Sequence, residues 1–296
     1  MNSSEILTQT ATVAPVEQRG EAADAPRPQL RPHGFVRTWT EVWSHRELLR
    51  ILAIRDLRIR YKSSVLGLVW SALNPLVVSA VYWAMLKFFF PNALVDRYIV
   101  YLLLGMVLWT FFTMAVQGAA VSLIGNAGIV SKVAFPRQIV PLATVLNTAI
   151  NAMIAFALTI PFLVATQSWP SWWTLQAIPV MLLFVVFIAG LALFLAAATV
   201  FFRDIEHLLG VILFPLYFAT PILWADFQFG LTGTKAKILF FGNPVTPFIS
   251  GFRECFYSPH VLGVGSWLFM LMAAGASLAL GTFVFARYYD ELPSEL

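Results

Sequence analysis

The sequence predicts an all-α integral membrane protein, with six transmembrane helices, an N-terminal cytoplasmic interfacial helix and short re-entrant helices before the last span. Three observations predict it. Of 296 residues, 59% are hydrophobic and 11% charged, where a soluble domain carries about a quarter charged. Six apolar runs approach the roughly 20 residues that a bilayer core of about 30 Å demands. The basic residues gather at particular ends of those runs.

Residues 1–41 form a polar, Pro- and Ala-rich stretch without periodicity. They are expected to be a disordered cytoplasmic tail with no secretory signal. Residues 42–62 read as an interfacial amphipathic helix with Val42, Leu49, Leu52 and Ala53 on one side. Arg and Lys there snorkel to the headgroups, although a solvated charged helix fits the same residues. The basic groups Arg46, Arg50, Arg55, Arg58, Arg60 and Lys62 face only two acids, Glu47 and Asp56, just before the first run. That position assigns the net charge of +4 to a membrane surface with anionic headgroups and excludes nucleic acid as a partner.

Residues 63–290 hold the apolar runs, at about 65–87, 98–120, 139–166, 176–201, 208–223 and 264–287. Asn74-Pro75 removes a backbone hydrogen bond inside the first and predicts a kink. The 121–138 connection carries Lys132 and Arg137, and the 202–207 connection Arg203, whereas 167–175 carries no charge. Positive connections stay inside, so both termini are expected in the cytoplasm. Residues 224–263 are too aromatic for a solvated loop, with Pro244, Pro247 and Pro259 as punctuation. They read as one or two short helices dipping back from the outer face, or else as an external loop.

The residues exclude several chemistries. No GxxxxGK[ST] string is present, and Gly230-Leu-Thr-Gly-Thr-Lys235 has the wrong spacing for a phosphate loop. Asp96, Asp204, Glu206, Asp226, Glu254 and Asp290 all fall at helix ends or in connections, which argues against a proton relay inside the membrane. His33, His45, His207 and His260 are dispersed, and Cys255 is the only cysteine, so neither a metal site nor a disulfide is expected. An embedded glycan polymerase or transferase would have Asp226 and Glu254 as its only outer carboxylate pair.

Two stretches carry a family resemblance. Arg55-Asp-Leu-Arg-Ile-Arg-Tyr-Lys-Ser-Ser-Val-Leu-Gly-Leu-Val-Trp-Ser-Ala-Leu-Asn-Pro75 resembles the opening of ABC-2 type permeases that export polysaccharides, including O-antigen, teichoic acid, capsule and cell-wall galactan. So does Phe201-Phe-Arg-Asp-Ile-Glu-His-Leu-Leu209 running into Pro215-Leu-Tyr-Phe-Ala-Thr-Pro-Ile-Leu-Trp224. The resemblance implies a multi-pass protein of the bacterial inner membrane that pairs with a second copy of itself and with two copies of a cytoplasmic ABC ATPase. ATP and Mg would be bound by that partner, with no cofactor and no enzymatic site in this chain. Its cargo would be a lipid-linked polysaccharide on a polyprenyl diphosphate, with an exporter of small drugs or lipids as the alternative. The resemblance also puts a coupling helix for the ATPase on about 126–138, with Asn126, Ser131, Lys132, Val133, Phe135, Pro136 and Arg137 as an apolar knob with a basic rim. External gating helices would fall on 235–258.

Charge and position nominate Arg55, Arg58, Arg60 and Lys62 to receive the diphosphate. Tyr82, Trp83, Trp109, Phe112, Tyr217, Phe218 and Trp224 lie towards the outer halves of their helices, where aromatic faces suit a sliding sugar chain. Interfacial anchoring accounts for aromatics at that depth equally well.

Overall fold

The computed structural model describes residues 35–62, 69–89, 97–130, 135–166, 171–224, 242–257 and 260–292, and among them there are helices and no strands. Helix α1 (Phe35–Ser44) and helix α2 (Arg46–Tyr61) come first. Helical structure therefore begins ahead of the expected Val42 and is broken at His45. The break has a local cause: the Ser44 hydroxyl donates to the Glu41 carbonyl at 2.8 Å, and the His45 ring nitrogen lies 2.9 Å from the same oxygen. The His45 amide still donates to that carbonyl at 3.2 Å, so two side chains crowd an acceptor that the helix also uses.

The apolar runs become α3 (Trp70–Phe89), α4 (Tyr98–Ala120), α7 (Ile139–Ala165), α8 (Ala177–Phe201), α9 (Ile205–Ala219) and α11 (Val264–Arg287). Between them lie the single turns α5 (Ser122–Gly125) and α6 (Ala127–Val130), a 3₁₀ segment Trp172–Gln176, and α10 (Thr246–Tyr257). Four segments are long and apolar enough to cross a membrane: Tyr98–Gly125, Ile139–Ala165, Trp172–Phe201 and Val264–Arg287. The first and fifth predicted runs form shorter apolar helices, Leu73–Phe89 and Ile205–Ala219. The fifth stops early because Pro221 follows and Thr220 turns its hydroxyl back onto the Leu216 carbonyl at 2.7 Å.

Helix α4 is the axis of the bundle. Seventeen of its 23 residues are buried, and α3, α7, α8, α9 and α10 all pack on it. Helices α8 and α11 make the most extensive helix contact, because Gly190 and Gly281 meet backbone to backbone, each leaving no room for a Cβ against the other helix. Ser277 donates to the Phe187 carbonyl at 2.7 Å beside that crossing, which suits membrane packing driven by close approach. Within 224–263, residues 225–241 lie outside the described residues. Helix α10 has only 12 residues, ten of them buried, and packs against α4, α8 and α11. It is a buried helix too short to span, rather than a surface loop.

The bundle has two chemically distinct ends. At one, Thr174 donates to the Cys255 carbonyl at 3.0 Å, and Gln176 joins His260 and Leu262 at 3.0 and 3.1 Å. The 171–176 segment is thereby tied to Cys255 at the end of α10 and to His260 and Leu262 ahead of α11. At the other end Leu123, Val130, Val140, Leu193, Phe285, Tyr289 and Leu292 form one apolar cluster, and Trp39, Val42, Leu49 and Phe135 pack onto it.

Candidate functional site

The basic end of α2 lies against α7. Asn147 donates to the Ala53 carbonyl at 2.8 Å, Tyr61 donates to Asn151 Oδ1 at 2.6 Å, and Asn151 donates to the Asn147 carbonyl at 3.1 Å. Two amides four residues apart sit on one face of a helix, and in an apolar run they are costly unless paired. That i,i+4 pair was the sequence signal for an anchor, and it was missed. Of the four nominated cations, Arg58, Arg60 and Lys62 are exposed. Arg55 is engaged: it pairs with Asp56 at 2.7 Å and donates to Asn126 Oδ1 at 3.2 Å. Arg55 and Asn126, nominated for different roles, therefore bind each other.

Arg60 and Tyr61 border a cleft of about 290 Å³ whose walls include Trp70, Asn74, Thr110, Thr148 and Asn151. The cleft brings the end of α2 together with the Asn74-Pro75 pair of α3 and the polar positions of α4 and α7. It joins a guanidinium to hydroxyls and amides at a depth where polar side chains are otherwise penalised.

In the 126–138 connection, Ser131, Lys132 and Val133 lie outside the described residues. Asn126 donates to the Ser122 carbonyl at 2.8 Å, closing α5. Pro136 is buried and Phe135 half-buried against the apolar end cluster. Arg137 donates to the Tyr289 carbonyl and stacks over the Tyr289 ring at 4.6 Å. The described part of the expected knob and rim thus turns inward and braces the chain's C-terminal segment. Burial pushes the Tyr289 phenol above its ordinary range, with the Arg137 cation opposing.

Six of the seven nominated aromatics fall into two sets of contacts. Trp109, Phe112, Tyr217 and Phe218 form a chain of ring contacts: Trp109 meets Phe112 at 5.6 Å and Tyr217 at 5.5 Å, and Tyr217 meets Phe218 at 5.2 Å. Phe112 is 3% exposed and stacks on Phe184, which itself stacks on Phe187 and Phe248. Phe112 and the buried Trp109 belong to this chain's own core, which corrects their assignment to a channel surface. Their run carries Thr110, Thr113 and Gln117 at i, i+3 and i+7, and these lie on the less buried side, so a sparse polar stripe was the sequence mark of the face that Phe112 turns away from. Tyr82 and Trp83 pack instead against Tyr98, Tyr101 and Leu102. Trp224 donates to the Phe218 carbonyl at 2.9 Å.

Arg253 of α10, unforeseen from the sequence, closes the same end. Its guanidinium lies 3.6 Å above the Tyr101 ring and donates to the Pro221 carbonyl at 2.6 Å. Tyr98 donates to the Leu223 carbonyl, and Tyr101 to that of Trp224 at 2.7 Å. The irregular backbone after α9 thus finds its partners inside protein, as non-helical backbone at membrane depth must. Glu254, half of the postulated carboxylate pair, lies 3.6 Å from His260, and Asp226 is outside the described residues.

A family model, ABC-2 type transporter, matches residues 47–257. The chain belongs to the ABC-2 transporter membrane family. The match runs from the start of α2 to the last residue of α10, so the α2 anchor, the cleft and the Arg253 clasp all fall in the ABC-2 part. Relatives of this ABC-2 chain are O-antigen export system permease proteins RfbA. One from Klebsiella pneumoniae is 30% identical over 211 residues, 71% of this chain and 80% of its own length. Another from the same organism is 29% identical over the same shares. One from Myxococcus xanthus is 28% identical over 223 residues, 75% of this chain and 85% of its own.

Proposed function

We propose that this ABC-2 chain is the transmembrane permease subunit of an ATP-driven exporter of polyprenyl-diphosphate-linked polysaccharide across the bacterial inner membrane. It works with a second copy of itself and two copies of a cytoplasmic ABC ATPase, which binds the ATP and Mg. Six spans bring both termini to the cytoplasm, with α3 and α9 as the shorter ones and α10 re-entering from the outer face. The 126–138 connection meets the ATPase. The 27 residues of α7 support that reading, because at about 1.5 Å rise they extend about 10 Å beyond a 30 Å core.

The observation that carries the cargo reading is the cleft at Arg60. Exposed Arg60 supplies positive charge at its border, exposed Arg58 and Lys62 belong to the same basic helix end, and Asn74, Thr110 and Thr148 supply neutral donors and acceptors within. A diphosphate headgroup entering between helices needs both. Tyr82, Trp83, Tyr217, Phe218 and Trp224 remain for a sugar chain further on. The names of the curated relatives support a glycan over a small drug or lipid.

Export in cells tests this. Replacing Arg58, Arg60 and Lys62 together with Gln traps lipid-linked polymer on the inner side at normal protein level, and unchanged export refutes the headgroup assignment. The polymerase reading predicts instead that Glu254→Ala abolishes polymer synthesis.

A further inference from the structure

A second cleft, of about 480 Å³, runs between α7 and α8 near the 171–176 segment. Met153 and Phe156 form one wall, Ile178 and Leu182 the other, and Phe252 and Phe256 of α10 the floor. Its polar side chains, Ser171 and Thr174, both belong to the 171–176 end. Met153, Ile178 and Leu182 are 65%, 61% and 61% exposed, so the cleft opens sideways, and beside a spanning helix lies the bilayer. Trp172 and Trp173 stand exposed at the polar end, the depth at which indoles gather at headgroups. A polar end at headgroup level above an apolar trough matches an amphiphile with its head up and its tail down.

We propose that this cleft is a binding site for one acyl chain of a membrane phospholipid, in the leaflet on the 167–175 side. With the orientation proposed above, that is the outer leaflet; the site itself requires only that α7 and α8 span. The cleft's volume is of the scale of an acyl chain and well beyond the roughly 30 Å³ of a single water. A second copy is a poor occupant, because a two-fold dimer sets the same patch against itself, and two facing troughs enclose a void. The chain would rest on Phe252 and Phe256, whose rings already meet Phe156 at 5.5 and 5.1 Å. It would buttress α10 from the lipid side.

The test uses the purified full-length chain in nanodiscs of phosphatidylethanolamine and phosphatidylglycerol, with a trace of phosphatidylethanolamine carrying a diazirine midway along one acyl chain. After irradiation, adducts are mapped by peptide mass spectrometry. Adducts on Met153, Phe156 and Phe252 are expected to exceed those on Leu271 and Met272, which are also exposed, by about tenfold, the ratio that 1.4 kcal/mol of preference gives. Ile178→Trp, made at an exposed rim position, fills the trough and brings Phe252 labelling down to the Leu271 level. Even labelling of every exposed apolar residue overturns the proposal. So does oxidative cross-linking of two copies through Met153→Cys, which would make the second copy the occupant.

Discussion

Gly281→Ala is the substitution whose cost the structure defines most sharply. A Cβ at position 281 would overlap the Gly190 carbonyl oxygen and stand 2.7 Å from its carbonyl carbon and 3.0 Å from its Cα, where ordinary contact is 3.4–4 Å. The obstacle is backbone, so no rotamer change relieves it, and the two helices must part by more than about 0.7 Å, the difference between 2.7 and 3.4 Å, because the overlapped oxygen is nearer still. A gap of about 0.5–1 Å forfeits a quarter to a half of each dispersion contact it opens. It also stretches the 2.7 Å bond from Ser277 to the Phe187 carbonyl, and a membrane hydrogen bond of this kind is worth about 0.6 kcal/mol. Overpacking of this sort costs about 1–3 kcal/mol in all, which lowers the melting temperature of a chain this size by about 2–12 °C. Thermal melting of the purified chain in detergent, followed by size-exclusion chromatography, measures it. Gly275→Ala is the control, since a Cβ there meets nothing within 4 Å. If Gly281→Ala and Gly275→Ala melt together, the close-crossing account of α8 and α11 is wrong.

Other consequences are open to the same preparation. Arg253→Ala removes a buried cation from the Tyr101 face and the Pro221 carbonyl, at a cost of about 2–4 kcal/mol. Arg253→Lys recovers part of the stability but not all, since an ammonium cannot reproduce the planar stack, and equal melting of the two variants contradicts the clasp. Tyr61→Phe and Asn147→Ala each loosen α2 from α7 by about 1 kcal/mol, and trypsin cutting after Arg58 or Arg60 should quicken in both; rates matching wild type would show that these bonds do not hold the helix. Tyr289 titrates above its ordinary value in the folded chain. Its neutral form is therefore favoured by folding, and its contribution is full below the unfolded value of about 10 and lost as pH rises through the folded one. The drop in melting temperature above pH 10 should accordingly be smaller for Tyr289→Phe than for wild type.

The sequence by itself determined that this chain lives in a membrane, because no soluble fold hides so much apolar surface. It also marked where the long helices run, since run length against bilayer thickness is a local property. The ABC-2 family was legible for a related reason: Arg55 to Pro75 and Phe201 to Trp224 carry motifs whose order survives without coordinates. What the sequence did not reveal is which side of each helix is buried. Lipid tails and neighbouring helices are equally apolar, so most positions of a spanning helix carry no mark of their side, and in α4 only the sparse stripe Thr110, Thr113 and Gln117 picks out the less buried face. Only the tertiary structure made α4 the axis, drew Phe112 into the core and opened a trough between α7 and α8. Pairings across long sequence gaps were also beyond local reading. Arg55 with Asn126, Arg137 with Tyr289 and Arg253 with Tyr101 each join segments that meet only once the helices have packed. Burial then makes an unpaired polar group costly, which favours such pairings.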